Sequence, residues 1–336
     1  MLTELDYLPD GFLRVEANEL HAVLPGPTLI HLPGRRDAPL FVSILLHGNE
    51  DTGLKAMQAV LKKYQNQPLP RALSIFVGNI DAARENVRRL EGQLDYNRVW
   101  SSDAGASSAE HRMMRKVVRI MAQRGVFASI DIHNNTGLNP HYACINRLDD
   151  AFLHLATMFS RVVVYFTDPK GVQSEAFAQL CPAVTLECGK PGGAGGVEHA
   201  AAYVEGALHL SSFPAHPVAS HDLDLFHTVA VVTVPESTSL SVGESSSDLC
   251  LEENIDHYNF RELAPGTRLG TVARECATAL HARNEAGCEI SDQYFEIRDG
   301  ALITLRPVMP AMLTRDVRII RQDCLCYLME RLERKA

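Results

Sequence analysis

Two polar segments, each directly after an apolar run, contain the residue types of a metal site. His47 and Glu50 lie three residues apart after the run LFVSILL, and His133 follows the run VFASIDI. Each residue alone is more often a capping or core residue, but zinc accepts two imidazoles and a carboxylate and then keeps a position open for catalysis. We therefore expect one zinc ion per chain, bound by His47, Glu50 and His133. Asp131, two residues before His133, could accept a hydrogen bond from a ligand imidazole.

A further carboxylate, Glu187, follows the apolar run AVTL and precedes the glycine-rich segment CGKPGGAGG. Hydrolysis at zinc needs a base that takes a proton from the attacking water and then protonates the leaving nitrogen. Glu187 fits that role. The glycine-rich segment matches neither common phosphate-binding loop pattern, and the alternative interpretation is a turn before a helix.

The segment LDYNRVW contains Asn97 and Arg98, and Arg84, Arg88 and Arg89 precede it. An arginine beside an asparagine amide can bind a carboxylate, and a further arginine can stabilise the oxyanion of a tetrahedral intermediate. For the three preceding arginines, a solvated helical face is an equally good interpretation.

Alternating strands and helices are predicted to position these residues. Apolar runs typical of buried strands occupy residues 40–46, 73–77, 126–132, 142–145, 162–166 and 183–186. Helical spacing of apolar residues occupies 51–64, 107–124, 150–159 and 197–213, with N-cap candidates at Ser108 and Asp150. This pattern predicts an α/β fold with a parallel or mixed sheet flanked by helices.

After residue 213 the pattern changes to short strands and turns. The segments FHTVAVVTVPE, HYNFRELAPGTRLGTVA, YFEIRDGALITL and DVRIIRQ are predicted to form strands with turns, including turns at Pro265-Gly266 and Asp299-Gly300. We therefore expect two domains, a catalytic domain over 1–213 and a smaller, mainly β domain over 214–336.

Composition restricts the class of protein. The 336 residues are 46% hydrophobic and 22% charged with a net charge of −9, which is typical of a globular protein and disfavours a nucleic-acid surface. No apolar run approaches the ~20 residues that cross a bilayer, so we expect no membrane association. Eight cysteines without a Cys-x-x-Cys pair, together with an acidic N-terminal segment, predict a cytoplasmic protein without a disulfide framework.

Taken together, these motifs resemble the succinylglutamate desuccinylase/aspartoacylase branch of the zinc carboxypeptidase (M14-like) superfamily. The matching segments are HGNEDTG, GNIDAARENVRRL, LDYNRVW, DIHNNTG and LECGKPGG, in the family's order over roughly residues 40–213. The resemblance implies zinc on His47, Glu50 and His133, and Glu187 as general base and acid.

The resemblance also assigns substrate-binding residues. It implies that Asn97 and Arg98 hold a substrate carboxylate and that Arg88 is the oxyanion arginine, with Arg89 as the alternative. The family has an arginine about ten residues before the catalytic glutamate for a second substrate carboxylate, and residues 171–186 contain none. Asn135, with His141 and Tyr142, could line a different pocket or be loop residues.

The function predicted from the sequence is therefore zinc-dependent hydrolysis of an amide bond in a small carboxylate-bearing substrate, such as an N-acyl amino acid. One alternative is an M14-like metallocarboxypeptidase that acts on short peptides. An alternative of another class is a metal- or ligand-binding module without turnover, although binding alone needs no base such as Glu187. The acyl group and the oligomeric state stay open.

Overall fold

The computed structural model describes residues 1–101, 107–243, 247–273 and 278–333, and the chain divides into two units. The first unit consists of residues 1–134 and 141–224, and the second of residues 135–140 and 225–336. The domain boundary at residues 213/214 stays a prediction.

Strands and helices alternate in the first unit, as the apolar runs predict. Its strands are β1 (Thr3–Leu5), β2 (Thr28–Leu32), β3 (Leu40–Ile44), β4 (Leu73–Val77), β5 (Ala128–His133), β6 (Tyr142–Ile145), β7 (Val162–Tyr165) and β8 (Ala183–Glu187). Its α-helices are α1 (Thr52–Lys63), α2 (Ile80–Arg84), α3 (Ala109–Gln123), α4 (Asp150–Thr157), α5 (Gln173–Phe177) and α6 (Ala194–His209). Two 3-10 helices cover Ala17–Ala22 and Ser220–Asp222.

The sheet of the first unit is mixed. Its strands follow the order β1-β2-β4-β3-β5-β8-β6-β7. The central strands β4, β3, β5 and β8 are parallel, whereas β2 is antiparallel to β4 and β6 is antiparallel to β8. The carboxyl ends of β3, β5 and β8 therefore meet at one edge of the sheet, where parallel strands commonly place binding loops.

Helices cover both faces of this sheet, which confirms the predicted fold class. On one face α1 packs so closely that a Cβ added at Gly53 would lie 2.8 Å from the side chain of Ile44. On the opposite face the side chain of Gln173 in α5 donates from Nε2 to the hydroxyl of Ser129 in β5 at 2.6 Å.

Four aromatic side chains lie beneath the segment that contains Asn97. Phe41 stacks on Phe177 with ring centroids 4.3 Å apart, and Trp100 meets Phe76 and Phe177 edge to face at 5.7 and 6.0 Å. The Trp100 Nε1–H also donates to the carbonyl of Tyr96 at 2.8 Å. This packing fixes the LDYNRVW segment on the sheet beside the carboxyl ends of the strands.

The second unit is rich in short β-strands, as predicted. Its strands are β9 (Asp224–Thr233), β10 (Leu240–Val242), β11 (Leu249–Leu251), β12 (Arg268–Val272), β13 (His281–Arg283), β14 (Phe295–Arg298), β15 (Ala301–Thr304), β16 (Met309–Ala311) and β17 (Cys326–Arg331). Strands β10-β11-β12-β15-β14 form one sheet, and β9 pairs with β13 and β17, which in turn pairs with β16. Short helices cover Ile255–Tyr258, α7 (Ser291–Tyr294) and α8 (Val317–Gln322).

The hairpin predicted at Asp299-Gly300 is confirmed. Both residues have positive φ angles, 52° and 76°, and they join β14 to β15, as a two-residue hairpin turn requires. The strand predicted for DVRIIRQ is wrong, because this segment forms α8. The carboxylate of Asp316 caps that helix by accepting from the backbone N–H of Arg318 at 2.9 Å, a local signal that outweighs the β-branched composition.

Among the residues that the structure describes, none of the helices has the length and apolarity needed to span a bilayer.

Candidate active site

The loop between β3 and α1 carries the first two predicted ligands. A Cβ on Gly48 would lie 2.2 Å from the backbone of Ala82 and Ala83, so only glycine fits there, and the Gly48 N–H donates to the carbonyl of Arg88 at 3.1 Å. This contact fixes the loop, and the Nδ1 atom of His47 lies 2.8 Å from the Glu50 carboxylate.

The third predicted ligand lies at the end of the neighbouring strand. The Nδ1 atom of His133 lies 2.8 Å from the other oxygen of Glu50. One ligand atom from each of His47, Glu50 and His133 lies within 4.8 Å of the others, and all three side chains are buried. Because two imidazole nitrogens and a carboxylate converge on one point, this group could hold a metal ion.

Two further carboxylates contact the outer nitrogens of the two imidazoles. Asp131 lies 2.7 Å from Nε2 of His133, and Asp95 lies 3.0 Å from Nε2 of His47. Asp131 in turn accepts from the hydroxyl of Ser43 at 2.6 Å. These contacts orient both rings so that their Nδ1 atoms face Glu50, which is how carboxylates orient histidine ligands in metal sites.

The surrounding charges shift the pKa values of the cluster. Burial alone lowers the pKa of His133, but Asp131 and Glu50 outweigh it and raise this pKa well above its ordinary value. Burial and Arg88 lower the pKa of His47, while Glu50 and Asp95 raise it, with a net increase. Burial raises the pKa of Glu50, but the two histidines lower it below its ordinary range. The metal-free cluster therefore favours protonated imidazoles between ionised carboxylates.

Arg88 and Asn97 join this cluster through Asp95. Arg88 donates to one Asp95 oxygen from Nη2 at 2.9 Å and from Nε at 3.1 Å, and the backbone N–H of Asn97 donates to the other oxygen at 2.7 Å. The amide Nδ2 of Asn97 lies 3.3 Å from Nε2 of His133. Burial raises the pKa of Asp95, but His47 and Arg88 hold it well below its ordinary value.

The other two predicted arginines have different surroundings. Arg98 is half-buried, its Nη1 donates to the carbonyl of Asn97 at 2.9 Å, and its charge helps to lower the pKa of Asp95. Arg89 instead donates from Nη1 to the backbone carbonyl of Gln93 at 2.8 Å, which holds its own loop. Of the two candidates for the oxyanion arginine, Arg88 is the one with a side-chain contact to the cluster.

Glu187 is the last residue of β8 and is buried. It pairs directly with His133 in the parallel register of β5 and β8. Side chains of directly paired residues point to the same face of a sheet, so Glu187 and His133 lie side by side at the carboxyl edge.

Asn135, predicted as a pocket residue, lies in the segment 135–140 of the second unit. Its side-chain oxygen accepts from Nδ2 of Asn139 at 3.2 Å. Its role in binding stays a prediction.

Comparison with known families adds the decisive observation. Residues 40–212 match the family described as the succinylglutamate desuccinylase/aspartoacylase catalytic domain, and these residues are more than half of the chain. The chain belongs to this family. A search of curated protein sequences found no match.

Solved structures similar to this chain support the desuccinylase/aspartoacylase fold. A succinylglutamate desuccinylase/aspartoacylase from Rhodobacter sphaeroides has a TM-score of 0.60 at 14% identity, over 91% of this chain and 89% of that one. The succinylglutamate desuccinylase from Chromobacterium violaceum has a TM-score of 0.57 at 17% identity, over 90% and 87%. A product-bound ectoine utilization protein from Ruegeria pomeroyi has a TM-score of 0.55 at 13% identity, over 91% and 88%.

Two residues without a role predicted from the sequence hold the site of this family member together. Asp95 was only part of the LDYNRVW motif, yet it joins His47, Arg88 and Asn97. Asn134 donates from its backbone N–H to Glu50 at 3.1 Å. Its amide donates to the carbonyl of Gly189 at 2.8 Å. An acidic residue beside arginines could have indicated the first role, but no sequence signal indicates the second.

Proposed function

We propose that this protein is a zinc-dependent hydrolase that cleaves the amide bond of a small carboxylate-bearing substrate, of the N-acyl amino acid class. Family membership supports amide-bond deacylation. The observation that carries the proposal is the convergence of His47, Glu50 and His133 on one point beside Glu187.

The donor set fits one zinc ion per chain. Two imidazole nitrogens and one carboxylate oxygen form a common ligand set of catalytic zinc, and three protein ligands leave room for substrate. The Nδ1 atoms of His47 and His133 are the nitrogens that face Glu50, while Asp95 and Asp131 hold the opposite nitrogens. Zinc bound there would supply a Lewis acid that polarises the scissile carbonyl.

Side chains of the protein would perform the proton transfers and stabilise the transition state. Glu187 would take a proton from the attacking water and deliver it to the leaving nitrogen. Arg88 would donate to the oxygen that becomes negative as the carbonyl carbon turns tetrahedral, because a fixed cation there stabilises the transition state more than the ground state. Asp95 holds the guanidinium of Arg88 in place, since two of its N–H groups already bind that carboxylate.

Asn97 and Arg98 would hold the carboxylate of the substrate. They are adjacent in the segment that Trp100 fixes on the sheet, and Asn97 lies within 3.3 Å of His133. A carboxylate held there would place the neighbouring amide close to the proposed metal position. This fixed orientation removes much of the entropic cost of reaching the transition state.

Substitution of Glu187 by glutamine tests the proposal. The amide keeps the size of the side chain but cannot accept a proton, so we expect Glu187→Gln to retain zinc and folding and to lose at least about 10²-fold in kcat. Zinc content, a thermal melt and turnover on a panel of N-acyl amino acids and dipeptides measure these quantities. Glu198→Gln, an exposed position on α6, is the matched control.

The panel also separates the alternatives. Turnover restricted to dipeptides would favour the carboxypeptidase alternative. Zinc binding without turnover of any substrate by the wild-type protein would favour a binding module. Unchanged turnover in Glu187→Gln would exclude Glu187 as the base. A cytoplasmic location stays the expectation from the sequence.

A further inference from the structure

On the side of β8 that pairs with β6, the neighbours of Glu187 are polar and uncharged, whereas His133 and Asp131 of β5 lie on its other side. Thr185 lies two residues earlier in β8 and so points to the same face as Glu187. The antiparallel pairing of β6 with β8 places Tyr142 opposite Glu187 and Cys144 opposite Thr185. A phenol, a thiol and a hydroxyl therefore lie near the proposed base, with His133 on its other side.

Two more polar side chains adjoin this region, Ser174 of helix α5 and Asn146, which directly follows β6. The Thr185 hydroxyl donates to the hydroxyl of Ser174 at 3.1 Å, and the Ser174 hydroxyl donates to Oδ1 of Asn146 at 2.7 Å. We call Cys144, Asn146, Ser174 and Thr185 the polar subsite. Because these hydrogen bonds form a chain, the side chains of Thr185, Ser174 and Asn146 have fixed positions.

The polar subsite adjoins the residue proposed to hold the substrate carboxylate. The backbone N–H of Gln173, next to Ser174, donates to Oδ1 of Asn97 at 3.0 Å. In an amino acid the side chain and the carboxylate are attached to the same carbon atom. A substrate carboxylate on Asn97 therefore places the side chain of that amino acid beside α5.

Two side chains of the polar subsite remain accessible to solvent. Cys144 and Asn146 are part-exposed, whereas Ser174 is fully buried. Burial nevertheless raises the pKa of Cys144 well above its ordinary value, and the charge of Glu187 adds to that increase. The polar subsite is therefore partly open to solvent at Cys144 and Asn146.

The segments that carry the polar subsite contain no cation to pair with a second carboxylate. Residues 141–146 and 171–186 include neither lysine nor arginine. The neighbouring Lys170 is exposed and lies 3.5 Å from Glu175. A carboxylate beside the polar subsite would lose hydration without gaining a partner from these segments, which is strongly unfavourable.

We propose that the polar subsite binds the side chain of the amino acid half of the substrate and selects a small, uncharged polar group over a carboxylate. The inference rests on the proposed function for the identity of the substrate. Hydroxyl, amide and thiol groups can donate to or accept from a neutral amide or hydroxyl, and a site built for such groups discriminates strongly against mismatched ones.

Three N-acetyl amino acids of nearly equal shape test the proposal on the zinc-loaded protein. N-acetylasparagine, N-acetylaspartate and N-acetylleucine carry a neutral polar, a charged and an apolar side chain. We expect kcat/KM for the asparagine derivative to exceed that for the aspartate derivative by at least about 10-fold. Equal or higher kcat/KM for the aspartate derivative would overturn the polar subsite.

Two variants attribute the selectivity to the polar subsite. Thr185→Val and Ser174→Ala remove a hydroxyl, so we expect each to lower the ratio of kcat/KM between the asparagine and leucine derivatives by about 3–10-fold. Thr157→Val is the control, because the Thr157 hydroxyl bonds only to carbonyls of its own helix, at 2.9 and 3.3 Å. An unchanged ratio in both folded variants would refute the assignment.

Calorimetric titration with free L-asparagine and L-aspartate separates the two proposals. Tighter binding of asparagine by at least about 10-fold supports the polar subsite even if no N-acyl amino acid is hydrolysed, and in that case only the proposed function fails. Equal binding, tighter binding of aspartate, or binding of neither overturns the polar subsite, and hydrolysis of the panel would then leave the proposed function intact.

Discussion

Substitution of Asp95 by asparagine should weaken the proposed zinc site without touching a ligand. The Asp95 carboxylate accepts from His47 at 3.0 Å, from Arg88 at 2.9 and 3.1 Å, and from the backbone of Asn97 at 2.7 Å. An asparagine keeps one acceptor oxygen, but in place of the other oxygen it presents an NH₂ group to the donors that this oxygen bound. Since loss of a residue that orients a ligand histidine commonly costs 10–100-fold in metal affinity, we expect the zinc dissociation constant to rise about 10–100-fold.

The same substitution should also destabilise the metal-free protein. The side chains of Arg88 and Asp95 are only 7% and 12% exposed, so the variant leaves a buried cation without its anion. Breaking a buried ion pair costs about 3–5 kcal/mol. Because asparagine keeps one acceptor, we expect the free energy of unfolding to fall by about 3 kcal/mol, the lower end of that range. For a unit of 150–250 residues that loss lowers Tm by about 6–12 °C.

Two assays and a matched control measure these effects. Titration of zinc against a chromogenic chelator gives the affinity, and a thermal melt of the metal-free protein gives Tm. Asp149→Asn is the control, because Asp149 pairs with Arg147 at 2.7 Å on the surface, where both side chains are about half exposed. Such pairs contribute about 0–1 kcal/mol. Zinc affinity and Tm equal to those of the control would refute the role of Asp95.

Three further predictions concern protons, a loop and the second unit. His47 and His133 both favour the protonated form without metal, so zinc binding at pH 7 should release roughly one or more protons. Calorimetry in buffers of different ionisation enthalpy measures this release. Zinc binding without proton release would contradict the pKa shifts. Gly171→Ala should lower the free energy of unfolding by about 1–3 kcal/mol in a denaturant melt, since φ is +74° and the new Cβ would lie 2.5 Å from the carbonyl oxygen of Arg98. Gly92→Ala is the control, because its φ is +71° but its Cβ would enter open space, and it should cost less. Burial raises the pKa of Glu289, but hydrogen bonds from backbone N–H groups lower it to about 2, so its stabilisation is complete above pH 4.5 and is lost as the pH falls toward 2. Glu289→Gln should therefore lose about 1 kcal/mol at pH 7 and approach the wild type near pH 2 in chemical denaturation, whereas a constant difference would contradict the shift.

The central part of the fold could be predicted from the sequence because its strands are buried on both faces. Strands β4 and β6 match the predicted ranges 73–77 and 142–145, and β5 was displaced by one or two residues. Strands β1 and β2 were not predicted. Strand β1 has only three residues with polar flanks, and β2 is a short run after Pro27, so neither carries enough periodicity. Strand β2 is buried on both faces, but Thr28 and His31 interrupt its apolar run, so the sequence signal is weak.

The candidate site could likewise be predicted only in part. The convergence of His47, Glu50 and His133 could be predicted because each lies at or after the end of a strongly apolar strand, and motifs at strand ends are local in sequence. The contact between Arg88 and Asp95 depends on the path of the six residues between them, and that path is fixed by tertiary packing. Ser108 was correctly predicted as an N-cap, but the N-cap predicted at Asp150 was wrong, because α4 begins at that residue.

The placement of the metal group on adjacent strands has a consequence for how the site is assembled during synthesis. His47 and Glu50 follow β3, His133 ends β5, and these two strands pair directly with each other. All three residues therefore leave the ribosome before β8, which carries Glu187. In a nascent chain the proposed metal ligands are all present while the residue proposed as the base is still untranslated, so the proposed metal capture would not depend on the presence of that base.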